Sequence, residues 1–162
     1  MNIGIVVHSQ TGHTLAVAVM LKERLLAAGH AVTLEQVETS GRAKPGATDV
    51  RLKTKPGIDA YDALVFGSPV WGGVMSSPMT SYLAQVTSLQ GKRVACLATH
   101  IFPPGLGANQ TISQMKEICE SKGAIVCGSG SVSWFPLGRK RRIAEVVDSL
   151  VRALESERSQ DT

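Results

Sequence analysis

The sequence predicts a three-layer α/β domain, in which a five-stranded parallel sheet is covered by helices on both faces. Three observations support this. Apolar runs rich in β-branched residues recur along the chain. Stretches of helical period separate most of them. The runs are also apolar throughout rather than alternating, as expected for strands buried from both sides. At 162 residues the chain has the length of one domain with a full core.

The first run, residues 3–7, holds Ile3, Ile5, Val6 and Val7 and reads as a strand. Residues 14–28 set alanines, leucines and valines around Lys22, Glu23 and Arg24 and stop at Gly29, a natural helix terminator. The second strand is expected over 31–37 and the third over 63–66. Between them, residues 38–60 carry Gly41, Pro45, Gly46, Pro56 and Gly57 with little periodicity. They read as a surface connection with room for a short helix, unusually long for a compact domain. A helix over 78–88 opens with Pro78, well suited to a first turn. The fourth strand follows at 94–98. A helix over 109–122 places Ile112, Met115, Ile118 and Cys119 on one side and stops at Gly123. The fifth strand is expected over 124–132. The last helix shows a clean 3.6-residue stripe of Ile143, Val146, Val147, Leu150, Val151 and Leu154. Residues 1–156 thus form a single domain, and 157–162 form a polar C-terminal tail.

Composition excludes several classes. Hydrophobic residues make up 43%, ordinary for a soluble globular protein. No apolar run reaches the length of a membrane span. The N-terminus enters a strand directly, without the pattern of a secretory signal, so a cytoplasmic location is expected. The three cysteines, Cys96, Cys119 and Cys127, form no C-x-x-C pair. Odd in number and widely spaced, they read as reduced thiols rather than disulfides or zinc ligands, and the histidines also lack metal spacing. No metal site is expected. The formal charge is +4. Its excess comes from Arg42, Lys44, Arg51, Lys53 and Lys55, and from the block Arg139, Lys140, Arg141 and Arg142. With two Trp, two Tyr and three Phe in the whole chain, no basic–aromatic interleaving supports nucleic-acid binding. The charges read as a solvated face.

The chemistry is concentrated in the stretch VVHSQTGHT, residues 6–14, where a strand ends and a helix begins. In a parallel sheet, ligands bind outside the carboxyl ends of the strands. A helix N-terminus there offers unpaired N–H groups and a partial positive charge. Ser9, Thr11 and Thr14 add hydroxyls, and Gly12 permits a tight turn. A capped helix needs one such hydroxyl; three hydroxyls and a glycine within residues 9–14 suit a phosphate monoester. No G-x-x-x-x-G-K-[ST] or G-x-G-x-x-G occurs, which disfavours ATP, GTP and Rossmann-type dinucleotide sites.

SQTGHT matches the flavodoxin phosphate-loop pattern, hydroxyl–x–hydroxyl–Gly–x–Thr. FGSPVWGG, residues 66–73, and THIFPPGLG, residues 99–107, stand where that family places the two loops beside its flavin ring. The chain resembles the flavodoxin-like FMN-binding family over residues 1 to about 155. The resemblance implies the short-chain flavodoxin-like fold with strand order 2-1-3-4-5 and FMN at the switch between strands one and three. It implies that Ser9, Gln10, Thr11, Gly12, His13 and Thr14 hold the FMN phosphate; His13 either adds charge or points into solvent. Pro69, Val70, Trp71, Gly72 and Gly73 would run past the isoalloxazine edge. Trp71 would stack on the ring or else cover core, and Gly72-Gly73 would allow a cheap peptide flip. Thr99, His100, Ile101 and Phe102 would serve the pyrimidine end, with His100 as a charge near N1 or a loop histidine in water. Pro103 and Pro104 would stiffen this loop, and Gly105 would complete it.

No catalytic triad or carboxylate pair stands out, so the chemistry would belong to the flavin. The expected function is electron transfer through bound FMN, with a redox protein as partner. The chain departs from typical flavodoxins, which are acidic, in being basic. The alternative is an NAD(P)H-dependent FMN or quinone reductase of the same fold, which GSPVWGGVMSSPM, residues 67–79, also resembles; in it Arg139–Arg142 would either meet an NADP phosphate or form a solvent- or partner-facing patch, since cations at a helix N-terminus oppose the dipole. A second alternative is a non-catalytic binding domain. Oligomeric state is left open by the sequence.

Overall fold

A computed structural model of the chain describes residues 1–156 apart from Phe102. Phe102 and the tail 157–162, both assigned above, lie outside the described residues. In chain order the elements are β1 (Asn2–Val7), α1 (His13–Ala27), β2 (Ala31–Gln36), β3 (Ala63–Trp71), β4 (Val74–Met75) and α2 (Ser77–Gln85). They continue with β5 (Arg93–His100), a single 3-10 turn (Pro104–Leu106), α3 (Ala108–Ser121), β6 (Ile125–Ser133) and α4 (Arg139–Glu155).

The sheet runs β2-β1-β3-β5-β6, every pair on this path parallel. This is the expected order 2-1-3-4-5 for the five main strands. The sheet also carries a sixth, short strand, β4, antiparallel to the end of β3. The expected third strand stops at Phe66; the observed β3 continues to Trp71, because Gly67, Ser68 and Pro69 stay in register with Leu97, Ala98 and Thr99 of β5. The chain then reverses through Gly72 and Gly73. Their φ values of +57° and +83° are the consecutive positive pair that a two-residue I′-type hairpin requires.

Side-chain alternation divides the interior into two layers. On one face Ile3, Ile5, Val7, Val65 and Leu97 pack under α1 and α4, against Leu21, Leu25, Val147 and Leu150. On the other, Val6, Leu64, Phe66 and Cys96 pack under α2 and α3, against Met79, Leu83 and Met115. Among the described residues no helix stands between β2 and β3 in the chain. Residues 38–60 contain no helix; they make a hairpin-like excursion closed by an isolated Thr39–Leu52 bridge and by Lys53 N–H donating to Glu38 O at 2.7 Å. The chain returns through Ile58 and Tyr61, which pack in this second layer. The Tyr61 ring lies so close over β1 that a Cβ on Gly4 would stand 2.5 Å from Tyr61 Cδ2. Among the described residues no helix is long and apolar enough to cross a membrane.

Gly4→Ala is therefore expected to lower unfolding stability by about 1–3 kcal/mol, since the Tyr61 ring must move out of a packed position. Urea denaturation checks this; an unchanged midpoint would mean that the ring yields freely.

Candidate cofactor site

Because β1, β3 and β5 are parallel and adjacent, the segments that follow them leave the sheet from one edge. Thr14, in the first turn of α1, hydrogen-bonds through Oγ1 to Thr99 Oγ1 at the end of β5, 2.7 Å apart, both residues buried. Gly107 sits against the β3–β4 hairpin, where a Cβ would meet Val70 Cγ1 at 2.5 Å and Gly73 Cα at 2.8 Å. His8, just past β1, meets Trp71 edge to face with ring centroids 5.0 Å apart. All three segments singled out in the sequence converge at one place.

At its centre is the start of α1. Gly12 caps the helix with φ +92° and no side-chain cap, and the first turn holds no acidic residue. Ala16 N–H donates to Gly12 O at 3.0 Å, and Leu15 N–H donates to Ser9 Oγ at 3.1 Å. The backbone N–H groups of residues 10–14 have no acceptor among the described residues. A Cβ on Gly12 would meet nothing within 4 Å, so the loop is open at this position. This donor set, with the helix dipole behind it, fits a phosphate dianion. The hydroxyls divide their tasks. Ser9 is occupied by Leu15 N–H, Thr14 is turned inward to Thr99, and Thr11 is exposed beside the cradle. Gln10 is also exposed.

His13 does not simply point into solvent. Its ring stacks on Trp134 with centroids 4.4 Å apart and planes 14° from parallel. Arg139 Cζ lies 4.7 Å from the Trp134 ring centroid, and Arg139 Nη2 donates to Trp134 O at 2.6 Å. Burial, and after it the Arg139 charge, lower the His13 pKa, so the ring favours its neutral form. Trp134 was not singled out from sequence. The available signal was one of two tryptophans placed just past the last strand. The basic block at the start of α4 is largely committed to the preceding loop. Arg142 donates to the carbonyls of Ser133, at 3.1 Å from Nη2, and of Leu137, at 2.7 Å, and also to that of Phe135. Arg141 pairs with Glu145 at 2.9 Å on the surface. Cations at a helix N-terminus oppose the dipole; here two of them reach back to carbonyl oxygens instead.

Pro69, Val70 and Trp71 lie half-buried in the last turns of β3, with Gly72 and Gly73 at the hairpin tip. His100 is not a loop residue: it ends β5, buried and in register with Ser133. Ile101 is exposed, and Gly105 has open space around it. Beneath Trp71 lies a small polar core that was also not anticipated. His8 Nδ1 is hydrogen-bonded to Ser76 Oγ at 2.8 Å, and Ser76 is bonded to Ser68 through N–H at 3.0 Å and Oγ at 3.1 Å. Burial pushes the His8 pKa down from 6.5 to about 4.

The comparisons agree with this geometry. The family model described as NADPH-dependent FMN reductase matches residues 1–134, and the chain belongs to that family, within the flavodoxin-like FMN-binding proteins. An NAD(P)H dehydrogenase (quinone) of Archaeoglobus fulgidus is 28% identical over 142 residues, covering 76% of this chain and 74% of that protein. The flavodoxin, WrbA-like protein from Agrobacterium tumefaciens superposes with a TM-score of 0.69 at 19% identity, over 93% of this chain and 97% of that one. A flavoprotein in complex with FMN from Lactobacillus acidophilus superposes with a TM-score of 0.62 at 19% identity, over 90% of this chain and 97% of that one.

The neutral His8 has a consequence for acid stability. Between pH 6.5 and 4 the unfolded chain binds a proton that folded His8 refuses, so stability falls as the pH falls through this window, by up to about 3 kcal/mol. His8→Asn should flatten that dependence in urea unfolding at pH 7 and pH 4.5. Equal slopes in the two proteins would contradict it.

Proposed function

We propose that the protein is an FMN-dependent oxidoreductase that takes reducing equivalents from NAD(P)H and passes them to a quinone or flavin acceptor. The observation that carries this reading is the set of N–H groups at residues 10–14 without an acceptor among the described residues, on the loop that the Thr14–Thr99 hydrogen bond joins to the other cofactor segments. Family membership supports FMN as the cofactor and nicotinamide nucleotide as the reductant.

In this reading the N–H groups of residues 10–14 and the Thr11 hydroxyl hold the FMN phosphate. Ser9 and Thr14 hold the loop itself. The hairpin from Pro69 to Gly73 and the segment from Thr99 to Gly105 flank the ring. Bound FMN supplies hydride and single-electron transfer. The protein's part is to orient the ring and set its surroundings. Trp71, held perpendicular to the His8 ring, offers an aromatic surface. Gly72 and Gly73, already at positive φ, bring backbone rather than side chains close to the ring. The electron-carrier role uses the same site, and the family's reductase description favours the enzyme.

Anaerobic mixing of the FMN-loaded protein with NADPH, and separately with NADH, tests this. At least one nucleotide should bleach the flavin absorbance within seconds. Flavin that stays oxidised with both, yet is reduced by dithionite, would select the carrier role. Failure to bind FMN at all would select a non-catalytic domain.

A further inference from the structure

A cavity lies beside the phosphate loop, toward β2. About 490 Å³ in volume, it opens between the carboxyl ends of β1 and β2 and the excursion that follows β2. It shares only Ser9 and Gln10 with the phosphate loop; its other lining residues include His8, Glu38, Arg42 and Lys53. The sheet order puts β2 on the side of β1 away from β3 and β5, so the cavity adjoins the phosphate loop from the β2 side.

Its lining is unusual in two respects. His8 is only 5% exposed, and its Nε2 has no hydrogen-bond partner among the described residues, while Nδ1 is held by Ser76 Oγ. The Ser76 hydroxyl can donate to Nδ1, so the neutral ring can present Nε2–H to a ligand without losing its inner bond. Arg42 and Lys53 are exposed, and among the described residues their side chains make no ion pair or hydrogen bond, unlike the committed arginines at the start of α4. Glu38 is the one carboxylate in the lining, so two cations outnumber it. The excursion that carries Arg42 is tied to the cofactor side: Ser77 Oγ donates to Lys44 O at 3.2 Å, and a Cβ on Gly72 would stand 4.0 Å from Pro45 Cβ.

From this geometry we infer that the groove is a second anion subsite, in which Arg42, Lys53 and His8 Nε2–H receive a nucleotide phosphate monoester, the 2′-phosphate of NADPH. The inference rests on the nicotinamide-dependent reading for the identity of the ligand, and on the groove alone for its chemistry. Its volume suits a nucleotide fragment. Two exposed cations beside a buried neutral donor suit a phosphate dianion, as in charge-assisted phosphate recognition generally.

Titration calorimetry of the FMN-loaded protein with adenosine 2′,5′-bisphosphate, and separately with inorganic phosphate, tests it. The bisphosphate should bind more tightly than inorganic phosphate. Arg42→Ala combined with Lys53→Ala, both on side chains without structural partners, should weaken the bisphosphate at least tenfold. In turnover, the same variant should lower the ratio of kcat/KM for NADPH over NADH at least tenfold. Bisphosphate affinity unchanged in the double variant, or no greater than that of inorganic phosphate, would overturn the assignment. If neither dinucleotide reduces the flavin but bisphosphate binding still depends on Arg42 and Lys53, the groove stands and the reductant reading falls.

Discussion

Parallel pairing of β1, β3 and β5 is the constraint on which the rest of this molecule depends. It sends the phosphate loop, the β3–β4 hairpin and the β5–α3 connection out of the same edge of the sheet. The buried Thr14–Thr99 hydrogen bond then fixes the first of these segments to the third. Gly107 lets the third lie directly on the second, where any side chain would collide with Val70 or the Gly73 backbone. A cofactor site assembled from three distant stretches of sequence is thereby held by two local contacts.

Within that frame, backbone supplies the binding groups and side chains shape the backbone. Ser9 accepts from Leu15 N–H, Thr14 faces the interior, and the N–H groups between them are left for a ligand. Charge follows the same division. Arg139 and Arg142 clamp carbonyls of the loop after β6 and brace Trp134, on which His13 stacks. Arg42 and Lys53, on an excursion with no regular structure of its own, instead line a cavity and make no ion pair or hydrogen bond among the described residues.

Much of this was legible in the sequence because it depends on local chemistry. Strand runs such as Ile3, Ile5, Val6 and Val7 and the stripe from Ile143 to Leu154 carry their own periodicity, and SQTGHT carries its own turn and donors. What was hidden depends on tertiary partners. Gly67, Ser68 and Pro69 have loop chemistry but extend β3 because β5 pairs with them. His100 looks like a loop residue but stays in β5, its carbonyl accepting from Trp134 N–H at 2.7 Å. His8 and Trp134 matter for what packs against them, which no spacing announces. Residues 38–60 lacked periodicity because they form neither helix nor strand, so nothing local marked them as the wall of a cavity.

The central claim is that FMN binds with its phosphate on the N–H groups at the start of α1. The most direct measurement is a titration of the ¹⁵N-labelled, flavin-free protein with FMN, followed through backbone amide resonances. The account predicts that the amides of residues 10–14 move most, together with those of Gly72, Gly73 and Gly105. FMN binding that leaves the amides of residues 10–14 in place would contradict it.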